Sequence, residues 1–156
     1  MSTSTETLKE RIASHTFFRG LEPQHLELLA EAAMLKEFKA GEVIFRTGDP
    51  ANRFYLIETG EVQVESPGKE GGPLPLQRIG RGDVLGWSWL FPPYYWQFDA
   101  RAVTDSTAIF FYATWLRDSC ERDHDFGYEM LKRMSAIVIQ RLQSARQRLV
   151  EASAPR

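Results

Sequence analysis

Five of the ten residues from Trp87 to Trp96 are Trp or Tyr, and Phe91 adds a sixth ring. Rings at this density either close a core or line a pocket whose chemistry is stacking and apolar contact. Pro92 and Pro93 sit in the middle and argue for a loop or lid rather than a continuous strand. The pocket residues read from this stretch are Leu85, Gly86, Trp87, Ser88, Trp89, Trp96 and Phe98. They line a site for a flat or apolar ligand, or they fill a cavity as core. Ser88 and the backbone N–H groups beside it could hold an anion or a nucleotide, and Tyr94 and Tyr95 could form an exposed aromatic patch for a protein partner.

Other chemistries lack their residues. His15, His25 and His124 show no metal-ligand spacing, and no His-x-His pair occurs of the kind from which barrel metalloenzymes are built. No phosphate-cradling Gly-x-x-x-x-Gly-Lys, no Cys pair and no local Ser/His/Asp arrangement is present. No catalytic residue, metal site or cofactor is therefore expected, beyond a small ligand.

A chain of 156 residues makes one domain that buries about two-thirds of its unfolded surface. A net charge of -2 excludes a whole-protein field that attracts nucleic acid. Cys120 is the only cysteine, which fits a reducing cytoplasm. Met1 to Arg11 lacks the apolar stretch of a signal peptide, and no apolar run approaches the ~20 residues that span a bilayer. A soluble cytoplasmic protein without membrane contact is expected.

The elements that hold the aromatic stretch divide the chain into three parts. Residues 1–33 are helical after a Ser/Thr-rich, frayed start over residues 1–5, with one helix over 6–13 and another over 23–33 that begins at Pro23. Residues 34–113 carry short apolar runs, Val43–Phe45, Phe54–Ile57, Val62–Val64, Leu76–Ile79 and Ser106–Tyr112 among them. Turn signals separate them every 8–12 residues, the pattern of a sandwich or barrel. Ser66 to Pro75, with three glycines and three prolines, reads as an exposed hairpin loop. Phe98, Ala100 and Ala102 alternate with Asp99 and Arg101, so the two sets face opposite sides of a strand. The fold class is mainly β with flanking helices, a β-roll of the jelly-roll kind.

Residues 114–156 are helical. Asp123 or Asp125 can cap a helix over 126–150, roughly 37 Å long. Met130, Met134, Val138, Leu142, Ala145 and Leu149 form its apolar stripe, longer than a domain of this size can cover. A second copy is the simplest cover, which makes these six residues a homodimer interface in a parallel helix pair; the alternative is a helix lying back on the roll. Lys132, Arg133, Arg141, Arg146 and Arg148 read as a solvated face that complements the helix dipole.

Taken in order, His15–Leu21, Ala40–Ile44, Gly48-Asp49, Phe54–Ile57, Gly60–Val62, Arg81–Gly86 and Arg101–Ser106 resemble the cyclic nucleotide-binding domain family, the sensor fold of the bacterial catabolite activator protein and of protein kinase A regulatory subunits. The resemblance implies a β-roll with a phosphate-binding cassette over 82–102 and a regulatory, non-enzymatic role. In the family a Glu follows the cassette glycine and accepts from the ribose, and an Arg about ten residues on pairs with the cyclic phosphate. Trp87 stands at the Glu position and Trp96 at the Arg position, and Gly71 to Cys120 contains no Glu at all. The expected function is a regulatory domain that does not bind cAMP or cGMP in the usual mode and acts through protein contact. The alternative is a true sensor with an altered pose. A DNA-reading helix-turn-helix would follow the long helix, and the chain ends at Arg156, so direct DNA binding is not expected.

Overall fold

The computed structural model describes residues 4–68 and 70–153, so residues 1–3 of the expected frayed start lie outside the described residues. Ser4 and Thr5 already belong to the first helix. Helices α1 (Ser4–Ser14) and α2 (Pro23–Glu31) precede eight strands: β1 (Ala33–Phe38), β2 (Val43–Phe45), β3 (Arg53–Thr59), β4 (Val62–Ser66), β5 (Leu74–Ile79), β6 (Val84–Leu85), β7 (Asp99–Ala102) and β8 (Ser106–Tyr112). Helices α3 (Ala113–Arg122) and α4 (His124–Ala152) close the chain. Helix α2 ends two residues earlier than its apolar pattern suggests, because Ala33 pairs with Phe111 as the first rung of β1.

Two antiparallel four-stranded sheets, ordered β1-β8-β3-β6 and β2-β7-β4-β5, make the roll. Strand β3 is central in the first sheet, and Phe54 to Ile57 are buried on both faces. Tyr55 points into the roll beside Phe38 and Phe45, with ring centroids 5.8 and 6.3 Å away. Phe54 points the other way and stacks on Phe111 at 4.6 Å, and Phe111 in turn meets Phe18. The molecule thus has a core inside the roll and a second one between the first sheet and the helices. Around β7, Ala100, Ala102 and the preceding Phe98 are buried while Asp99 and Arg101 face outward, as the alternation requires.

Asp123 caps α4 by accepting from the N–H groups of Asp125 and Phe126 at 3.1 and 3.2 Å. Beneath it Phe126, Met130 and Met134 are fully buried against the chain's own core. Arg133 and Arg141 turn inward from α4, which corrects the expectation of a solvated basic face for these two, while Lys132, Arg146 and Arg148 are exposed. Arg133 donates to the carbonyls of Phe17 and Arg19 at 2.6 and 3.0 Å, Arg141 to Val84 at 2.5 Å, and Arg148 to Pro75 at 3.1 Å. These carbonyls lie at strand edges and loops where no ladder bond is available, and long guanidinium arms reach them. Among the described residues no helix is long and apolar enough to cross a membrane.

Candidate functional site

The cassette leaves β6 at Gly86 and returns as β7 at Asp99, and between them the backbone forms turns without a helix. Leu90 N–H donates to Trp87 at 3.1 Å and Tyr94 N–H to Phe91 at 3.0 Å, so these donors already have carbonyl partners. The outer part of the loop is fastened to the Gly48–Ala51 turn. Trp96 N–H donates to Asp49, Gly48 N–H to Trp96, and Ala51 N–H to Tyr94, all at 2.8–3.0 Å. Arg117 of α3 holds the same loop from the helix side, donating to Trp89 O at 2.6 Å with its guanidinium 4.3 Å from the Tyr94 ring centre. That contact helps hold Tyr94 at φ +64, left-handed backbone that a residue with a side chain rarely adopts.

The tryptophans of the loop go to different places. Trp89 is fully buried in the helix-side core, stacked on Phe54 at 4.8 Å. Trp96 turns into the roll, stacks on Phe45 at 3.9 Å with planes 6° apart, and lies against Gly86. A Cβ built on Gly86 would fall 2.6 Å from Trp96 Cζ3 and closer still to Cη2, so the indole occupies the space directly over the cassette glycine. Phe98 and Leu85 complete this packing and are buried. Trp87 is half-buried, 5.1 Å from Phe98, and the Arg141 guanidinium sits 5.2 Å from its ring centre. Burial pulls the Arg141 guanidinium down to about 10, with the Asp83 charge opposing, and it stays cationic at neutral pH.

The seven sequence-predicted pocket residues therefore do not face one cavity. Leu85, Gly86, Trp89, Trp96 and Phe98 are buried packing. Trp87 and Ser88 instead border a groove of about 420 Å³ outside the roll, with Phe91, Pro92, Pro93, Tyr95 and Gln97 on the cassette side and Ser135, Val138 and Ile139 on α4. Sequence reading missed the α4 wall, since nothing local in a helix pattern says which loop it will face. Of the predicted dimer residues, Met130 and Met134 are covered by the chain's own core, Val138 borders the groove, and Leu142, Ala145 and Leu149 are exposed further along the same side of α4. A side chain with no exposed surface cannot contact a partner here.

Arg101 is the one arginine near the cassette exit, and it faces away from the roll. Its Nη2 donates to Glu65 Oε2 at 2.9 Å, beside Gln63 Nε2 at 2.7 Å from the same oxygen. Glu65 is nearly fully buried, so Arg101 is its charge partner and is not free for a phosphate. Arg101→Ala is expected to destabilise the fold by about 1–3 kcal/mol, read from urea midpoints, because Glu65 loses a charge-assisted bond. Arg101→Lys should recover part of that loss. The remaining nucleophile is also not primed. Burial, then the charges of Glu121 and Asp123, push the Cys120 thiol up to about 11. Its alkylation at pH 8 should run roughly 100-fold slower in the native protein than in the denatured one.

Residues 35–123, more than half of the chain, match the family model of the cyclic nucleotide-binding domain. The chain belongs to that family. It is 38% identical over 86 residues to the acetyltransferase Pat of Mycolicibacterium smegmatis, covering 55% of this chain and only 26% of that protein. A cyclic nucleotide-binding domain from Methylobacillus flagellatus superposes with a TM-score of 0.77 at 16% identity, covering 97% of this chain and 85% of the other. The regulatory subunit of a cAMP-independent protein kinase A from Trypanosoma brucei superposes at 0.71 with 19% identity, over 96% and 52% of the two chains. This chain spans about a quarter of the length of its acetyltransferase relative, so the match speaks for the cyclic nucleotide-binding domain alone. Within the family that domain is regulatory.

Proposed function

We propose that this cyclic nucleotide-binding domain is a regulatory module whose nucleotide site is closed by its own side chains, and that it works through protein contact at α4. The observation that carries the reading is Trp96, stacked on Phe45 and lying over Gly86, the glycine beside which the family resemblance would seat a cyclic phosphate. A phosphate placed there would meet indole faces, which carry negative quadrupole density. It would also lack the arginine, at a cost of roughly 1.5–3 kcal/mol for the missing charge-assisted bond. Arg101 cannot replace it, because it faces outward and holds Glu65. The likeness to a regulatory subunit of a cAMP-independent kinase is consistent with a family fold that operates without this ligand.

Arg141 links the closed cassette to α4. One guanidinium nitrogen bonds the Val84 carbonyl just before the cassette glycine, and the group covers Trp87 within the cassette. Force on the outer face of α4 is therefore felt at the cassette. A ligand that binds the native state at micromolar Kd adds about 4 kcal/mol of stability at 1 mM. Neither cAMP nor cGMP at 1 mM is expected to shift the thermal midpoint, and a rise of several degrees would sink the closed-site reading.

A further inference from the structure

The outer face of α4 carries a second stripe: Leu131, Ser135, Val138, Leu142, Ala145 and Leu149 recur in alternating steps of four and three, the seam of a two-stranded coiled coil. Leu131, Leu142 and Leu149 are 46%, 67% and 70% exposed, so among the described residues nothing covers these three, while Ser135 and Val138 are half-buried at the groove. The positions flanking it are Lys132, Ile139 and Arg146 on one side and Met134, Arg141 and Arg148 on the other. Four of these six are basic and none is acidic. Lys132 is answered by Glu129 at 3.2 Å, but among the described residues no carboxylate lies within ion-pairing distance of Arg141, Arg146 or Arg148.

Charge and shape both disfavour the second copy expected from the sequence. A parallel pair would bring the unanswered charges of Arg146 and Arg148 from two copies to one seam, while Arg141 is turned inward onto the Val84 carbonyl and Trp87. Ser135 and Ala145 would meet their own copies and leave two of six layers underfilled. The groove of about 420 Å³ opens beside Ser135, walled by Trp87, Phe91, Pro92 and Tyr95, and needs a large apolar side chain that a second Ser135 does not supply. A flat membrane surface would not reach into this groove either.

We propose that α4 docks an amphipathic helix of a different protein, with acidic residues flanking its apolar seam and a large apolar side chain seated in the groove. The inference rests on reading α4 as the contact face in the proposed function. The probes are two synthetic four-heptad helices with Leu in the seam, one flanked by Glu and one by Lys, titrated into the full chain below their own self-association. The Glu-flanked helix should bind at least about tenfold tighter, the preference a few flanking pairs give. Arg146→Glu should shrink that preference, Leu142→Asp should abolish binding without moving the thermal midpoint, and sedimentation velocity should show the free chain as a monomer. Equal binding of both helices, binding of neither, a dimer that excludes them, or binding only to phosphatidylserine vesicles would each overturn the proposal. A cAMP-induced midpoint shift with helix binding intact would sink the closed site and leave this interface standing.

Discussion

Trp96→Ala is expected to lower the stability of the domain by about 3–5 kcal/mol, the range for removing a large buried aromatic side chain. A buried surface and two contacts are lost together. The indole is 3% exposed, it stacks on Phe45 at 3.9 Å, and it covers Gly86. The backbone on either side cannot collapse into the gap, since Trp96 N–H and C=O are both bonded to the Gly48-Asp49 turn. Trp96→Phe keeps a ring on Phe45 and should lose less than half as much. Urea unfolding followed by far-UV circular dichroism measures both. A loss under about 1 kcal/mol for the alanine variant would mean that the indole is a loose lid, and the cavity behind it would have to be counted as available.

Gly86→Ala should cost about 2–5 kcal/mol for two separate reasons. Its φ of +98 is backbone that a side chain opposes by roughly 1–2 kcal/mol. The new Cβ would also run into the Trp96 ring, adding an overpacking cost of about 1–3 kcal/mol. Only the second part depends on Trp96. In the Trp96→Ala background the Gly86→Ala penalty should therefore fall to the backbone part, giving a coupling of at least about 1 kcal/mol in a double-mutant cycle. Additive losses would show that the indole and the glycine do not share the space.

Most of the frame was legible in the sequence because its signals are local. Val43–Phe45 and Ser106–Tyr112 occur as strands at their expected residues, and the alternation sets Arg101 on the face opposite Phe98, Ala100 and Ala102, whose burial makes it the outer one. The Asp123 cap is equally local. What the sequence left open depends on layers. Trp89 and Trp96 read alike as members of one aromatic run, yet they enter cores on opposite sides of β3. Their separation follows from where the loop is fastened to the Gly48–Ala51 turn and to Arg117, contacts made across long stretches of chain. The apolar steps of α4 had a similar ambiguity. Met130 and Met134 continue smoothly into Val138 and Leu142 along the sequence, but helical drift carries the first pair under the roll and the second pair out of it. The inward arginines were invisible for the same reason, since carbonyls at strand edges leave no trace in composition.

The closed cassette is tested most directly by calorimetric titration of the wild-type chain with cAMP and with cGMP, with tryptophan emission followed in parallel. Three of the four tryptophans lie in the cassette, and any occupant near Gly86 must displace or contact Trp96. No saturable heat and no change in emission up to millimolar nucleotide is the predicted result. Micromolar binding with a shift in emission would contradict it, and would mean that Trp96 swings out to admit a ligand held without the family's Glu and Arg.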